Sequence, residues 1–102
     1  MQLEDIRKIW TYKERDVASS IEMWNSMAPE FSQYDMPTEE NSSLMKLISD
    51  KGMINGDSLV LDIGCGAGKY SLALAEKCRH VTGLDLSPKM IEKAIEKKEE
   101  MG

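Results

Sequence analysis

An α/β fold built on a parallel sheet is predicted for this chain. Three observations carry that reading. Strand-like apolar runs alternate with helical stretches in the second half of the sequence. The first of these runs is continuously apolar at residues 59–61, the pattern of a parallel strand covered by helices on both faces. It feeds into a glycine-rich turn with a helix directly behind it. At 102 residues the chain has the length of one small domain, against a usual ~100–200.

The elements follow in order. Residues 3–27 read as helical, because Leu3, Ile6, Ile9, Trp10, Val17, Ile21 and Trp24 recur mostly at three- and four-residue intervals. The successive charges at 13–16 mark a break within it, and Pro29 ends the pattern. Phe31 and Tyr34 fall in a short irregular stretch that closes at Pro37. A second helix is predicted over 38–51, with Thr38 as N-cap, Glu39 and Glu40 in the first turn and Gly52 as its stop. Leu44, Leu47 and Ile48 form its apolar face, and 55–57 (Asn-Gly-Asp) make a turn. A strand is predicted over 58–63, a helix over 68–77 and a second strand over 80–84. Ser87 then caps a last helix with Pro88 at its first position and Gly102 at its end. Met90, Ile91, Ala94, Ile95 and Met101 supply its stripe. The chain divides into a helical cap or lid at 1–57 and the first part of a ligand-binding core at 58–102.

Composition narrows the function. Apolar residues are 41% and charged residues 30%, as in a soluble globular protein, and no apolar run is long enough to span a bilayer. The first residues are acidic, unlike a secretory signal, so the cytoplasm is the expected location. The net charge of −5 would repel nucleic-acid phosphates, and the Lys97-Lys98 pair sits among glutamates as a solvated helix face. Nucleic acid and membrane are therefore not expected as partners, and a small molecule is. Cys65 and Cys78 fit neither a zinc site nor a redox pair, and with His80 the only histidine no metal site is expected. Both cysteines read as buried reduced thiols.

The chemistry lies in the stretch from Leu59 to Gly68, where a strand ends in Asp62 and Ile63 and three alternating glycines follow. Glycines there allow a sharp turn and close approach of a ligand to the backbone, and amides at a helix start favour electron-rich groups. Two details choose the ligand. The dinucleotide fingerprint needs a third glycine or alanine where this chain has Lys69; Gly68 comes one residue early. Asp62, two residues before Gly64, would repel a pyrophosphate and attract an ammonium group. S-adenosylmethionine has an ammonium and no phosphate, and it fits better than NAD. A P-loop is excluded because no Gly-Lys-Ser/Thr is present. Asp85 ends the second strand 21 positions after Gly64, placed to accept hydrogen bonds from ribose hydroxyls, and Leu86 follows to pack on an adenine face. A solvent-exposed turn aspartate or helix cap is the plain alternative for Asp85.

Residues 60–68 (Val-Leu-Asp-Ile-Gly-Cys-Gly-Ala-Gly) resemble the first motif of class I S-adenosylmethionine-dependent methyltransferases. Residues 81–90 resemble that family's second strand and the helix start beyond it. Residues 24–31 (Trp-Asn-Ser-Met-Ala-Pro-Glu-Phe) resemble the tryptophan-containing helix end ahead of the core in many small-molecule members. The resemblance covers roughly residues 21–102 and implies a partial Rossmann-like fold: amino-terminal helices, then the first strand-helix-strand-helix of the sheet.

It also implies roles. Asp62 would face the methionine ammonium. Gly64, Cys65, Gly66 and Gly68 would lie against the methionine and ribose, Asp85 would bind the ribose hydroxyls, and Leu86 would border the adenine. Phe31 and Tyr34 would form part of a lid, with helix packing the alternative for both. Met90 would touch adenine or fill the core, and Tyr70 is a weaker candidate. The implied reaction is methyl transfer to an acceptor, with S-adenosylhomocysteine as product. Acceptor-side and catalytic residues are expected beyond Gly102, in strands the family has and this sequence lacks. The chain therefore reads as a fragment with two apolar sheet edges, or as one that assembles with its own copy. The rival readings are an inactive binding or oligomerisation module and, less well supported, a nicotinamide oxidoreductase.

Overall fold

The computed structural model describes residues 17–102. Its elements run α1 (Val17–Phe31), α2 (Ser43–Asp50), β1 (Leu59–Ile63), α3 (Lys69–Ala75), β2 (His80–Leu84) and α4 (Pro88–Met101). β1 and β2 pair in parallel, with Leu59 opposite His80 and Ile63 opposite Leu84. The α/β class and the parallel sheet are both present, in the partial Rossmann-like arrangement expected.

The predicted helix start at residue 3 and the break at 13–16 lie outside the described residues. At its other end α1 runs past Pro29 to Phe31. Proline lacks an N–H and so removes one intrahelical bond. That loss falls in the last turn, where the Ser32 hydroxyl donates to the Pro29 carbonyl at 2.7 Å and the Ser32 amide to the Ala28 carbonyl at 3.0 Å. α2 begins five residues later than predicted, capped by Ser42, whose side chain accepts from the Met45 amide at 3.2 Å. Thr38 does cap a turn, but Asn41 closes it. The Thr38 amide donates to Asn41 Oδ1 at 2.7 Å and the Asn41 amide to Thr38 Oγ1 at 3.3 Å. Ser42, at φ −136° and ψ 117°, leaves the helical region, so this turn ends before α2 begins. At α4 the reading holds at both ends: Ser87 accepts from the Met90 amide at 3.1 Å, and Gly102 is the C-cap.

Two small cores hold these pieces together. One joins Met45, Ala73 and Leu74, with Ile48, Ile54, Val60 and Val81 against them, and ties α2 and α3 to one face of the sheet. The other joins Ala28, Ala67 and Met90, with Met27 and Tyr34 against them, and ties α1 to α4 and to the glycine loop. Gly68 makes a close approach possible, because a β-carbon there would lie 3.0 Å from Ala94 Cβ on α4.

The opposite face of the sheet departs from expectation. The apolar run of β1 predicts cover on both faces, yet Leu59, Leu61 and Ile63 are 73%, 57% and 76% exposed. The register sets Leu84, 51% exposed, opposite Ile63. Among the described residues the helices pack on one side only, so the exposed apolar surface is a face as well as the two edges.

Candidate functional site

The glycine loop leaves β1 and folds over the end of β2. The amides of Gly64 and Cys65 both donate to the Leu84 carbonyl, at 2.7 and 2.9 Å. Gly64 and Gly66 carry φ values of +76° and +56°, a region that disfavours side chains, and a β-carbon on Gly64 would meet open space. Asp85 fixes the loop from the other strand. Its Oδ2 accepts from the Gly66 amide at 2.9 Å and its Oδ1 from the Ser87 amide at 2.8 Å. A carboxylate offers about four lone-pair sites, so acceptor capacity remains for two hydroxyls.

A cavity of about 740 Å³ opens beside this loop, within the ~300–1,000 Å³ usual for small-molecule sites. Its walls are mostly apolar. Phe31, Gly64, Cys65, Gly66, Asp85, Leu86 and Met90 all line it, which brings seven of the ten predicted positions together. The remaining three lie elsewhere. Asp62 turns toward α3, where its Oδ2 accepts from the Ser71 hydroxyl at 2.7 Å. Gly68 is spent on the contact with α4. Tyr34 is a strut rather than a cavity wall: its hydroxyl donates to the Ala67 carbonyl at 2.8 Å, and the Lys97 ammonium sits 5.5 Å from its ring centre. Burial, with the Glu100 carboxylate adding to it, raises the Tyr34 pKa and keeps that donor protonated.

Some positions were not singled out from the sequence as site residues. Trp24 lines the cavity edge-on to Phe31, ring centres 5.8 Å apart at 80°, so α1 contributes a paired aromatic wall. Lys69 lines it too, beside Tyr70. Gly83 makes room for the loop from below, since a β-carbon there would stand 2.9 Å from Cys65 Sγ. A glycine inside a strand is the signal that would have found it. Cys65 is not an activated thiol. Burial raises its pKa first, and the Asp62 and Asp85 carboxylates push the same way. Among the described residues no group of three His, Cys, Asp or Glu could hold a metal ion, and no helix is long and apolar enough to cross a membrane.

Residues 60–102 match a family model described as a methyltransferase domain. The human tRNA (uracil-5-)-methyltransferase homolog A is 39% identical over 64 residues, 63% of this chain and 10% of that protein. The ubiquinone biosynthesis O-methyltransferase of Xylella fastidiosa is 43% identical over 54 residues, 53% of this chain and 22% of that protein. The 23S rRNA (uracil(1939)-C(5))-methyltransferase RlmD of Vibrio campbellii is 44% identical over 39 residues, 38% of this chain and 9% of that protein. The chain thus spans a tenth to about a fifth of the length of these relatives. No solved structure matches it. These relatives correct one expectation. Nucleic acid was set aside on the acidic charge in favour of a small-molecule acceptor, yet relatives named for tRNA and rRNA share this stretch. The charge of a piece covering a tenth of such a protein places no bound on its acceptor. The matched stretch holds the glycine loop, Asp85 and Leu86, and over residues 60–102 the chain is similar to a methyltransferase domain.

Proposed function

We propose that this chain forms the S-adenosylmethionine-binding part of a methyltransferase, with residues 58–102 as the cofactor core and α1 as the wall that closes over it. One observation carries the reading: Asp85, with acceptor capacity to spare, stands at the rim of a largely apolar cavity beside a glycine loop that its own carboxylate holds in place. The residues present fit the cofactor. Asp85 would take the ribose hydroxyls, Leu86 and Met90 the adenine, and the Gly64–Cys65–Gly66 backbone the thioether portion. Trp24 and Phe31 would keep water from the site. Asp62 serves the site indirectly, bracing α3 through Ser71, rather than meeting the ammonium itself. When bound, the cofactor supplies an activated sulfonium methyl, so this part of the protein has only to bind, orient and exclude water. For the whole protein we read the acceptor as an RNA base, on the strength of the relatives named for tRNA and rRNA.

The test is a calorimetric titration with S-adenosylhomocysteine and with its 2′-deoxy analogue. A ligand-side comparison is cleaner than Asp85→Ala, which also frees the Gly66 and Ser87 amides. Saturable binding that weakens about tenfold or more without the hydroxyl, as loss of a hydrogen bond to a charged group predicts, supports the reading. Equal affinities would remove Asp85 as the ribose anchor. Displacement of either ligand by NADH would favour a nicotinamide site instead.

A further inference from the structure

The cavity has two charged side chains in its wall, Asp85 and Lys69. They come to the same wall from different elements. Lys69 opens α3 directly behind Gly68, while Asp85 reaches the loop from the end of β2 and holds the Gly66 amide. Asp85 is already engaged with backbone donors. Among the described residues Lys69 is not engaged with an acid. The ion pairs among the described residues are Lys46–Asp50, Lys89–Glu92 and Lys93–Glu96, and none includes Lys69. Its ammonium rests 5.7 Å from the centre of the Tyr70 ring. Tyr70 is itself tied to the cap of α2, its hydroxyl 3.3 Å from Ser42 Oγ. The aromatic face is therefore a fixed prop that holds a cation at the cavity wall without neutralising it.

A ligand with a diol at one end and a free amino acid at the other presents charge in the complementary order. The diol suits the carboxylate of Asp85, and the amino-acid carboxylate needs a cation elsewhere in the same wall. We infer that Lys69 binds the carboxylate of the ligand's amino-acid end and so selects adenosyl amino acids over plain adenosyl thioethers. The inference rests on the cofactor reading above. It gives Lys69 a purpose that its position in the sequence, as the residue that spoils a dinucleotide fingerprint, does not suggest. The rival is a solvated surface lysine leaning on Tyr70, which would make no distinction among these ligands.

Three ligands and two variants decide it by calorimetry. S-adenosylhomocysteine has the carboxylate and the amine, its decarboxylated analogue keeps only the amine, and 5′-methylthioadenosine has neither. For Lys69→Met, affinity for S-adenosylhomocysteine should fall about 10- to 100-fold, the range for a charge-assisted hydrogen bond, while the other two ligands bind as they do to the unaltered chain. Lys69→Arg should restore most of the loss. If Lys69→Met leaves S-adenosylhomocysteine binding unchanged, or weakens all three ligands alike, the assignment is overturned while the cofactor reading stands. If the unaltered chain binds none of the three, both fall together.

Discussion

On one face of the sheet Val60 and Val81 pack against Met45, Ala73 and Leu74; on the other Leu59, Leu61, Ile63 and Leu84 stand between 51% and 76% exposed. The two sets alternate along the same strands and do not differ in apolar character. What separates them is where the flanking helices lie: α2, before β1, and α3, after it, both pack on the same side. Burial is therefore a property of the neighbours an element recruits, and an apolar strand alone does not say which face will be covered. The covered face also carries the site's foundations, because Asp62, Gly83 and Ser71 lie there beneath the loop.

Substitutions on the two faces sharpen this contrast. Met45→Ala removes a side chain that is 2% exposed and should cost about 2–5 kcal/mol, read from a urea midpoint. Gly83→Val puts a β-carbon against Cys65 Sγ and should cost about 1–3 kcal/mol through overpacking; Cys65→Ala should recover part of it in a double-mutant cycle. Ser87→Ala removes a cap that also donates to Asn25 Oδ1 at 2.6 Å, with an expected cost of about 1 kcal/mol. On the open face Leu61→Thr should change stability by no more than about 0.5 kcal/mol and lower the binding of a hydrophobic dye. A cost comparable to that of Met45→Ala would break the contrast and mean that this face is covered in solution. The smallest effect concerns pH. Cys65 holds its proton more tightly in the folded chain than a free thiol does. Its contribution is full below the free-thiol pKa and is lost as pH rises through the higher folded value. Alkylation of Cys65 in the native chain should accordingly need a more alkaline solution than alkylation of the unfolded chain.

Much of this was legible in the sequence because short-range rules decide it. The strand-turn-helix around Gly64, the end of β2 and the Ser87-Pro88 start of α4 each depend on a few adjacent residues, and each appears where the spacing puts it. The structure adds to the reading where two local rules competed or a distant partner intervened. Thr38 obeyed the capping rule, but the extended backbone of Ser42, itself a cap, ended that turn and restarted the helix at Ser43. Pro29 obeyed the breaking rule two residues before the helix ended, where one absent amide costs little. Asp62 and Tyr34 carry no local sign of their partners, Ser71 and the Ala67 carbonyl, which only the tertiary fold supplies. Lys69 was visible as a departure from a pattern, and the cation at the cavity wall became visible only with Tyr70 beneath it.

One chain of contacts reaches further than the cavity. Asn25 on α1 accepts from the Ser87 hydroxyl, the Ser87 amide donates to Asp85, and Asp85 accepts from the Gly66 amide. The local opening of α1 and the state of the loop are consequently linked equilibria. Whatever steadies Asp85 also raises the free energy of fraying α1 away from α4, and whatever loosens α1 weakens the grip on the loop by the same amount. Amide hydrogen exchange along α1 would register a ligand that touches none of its backbone.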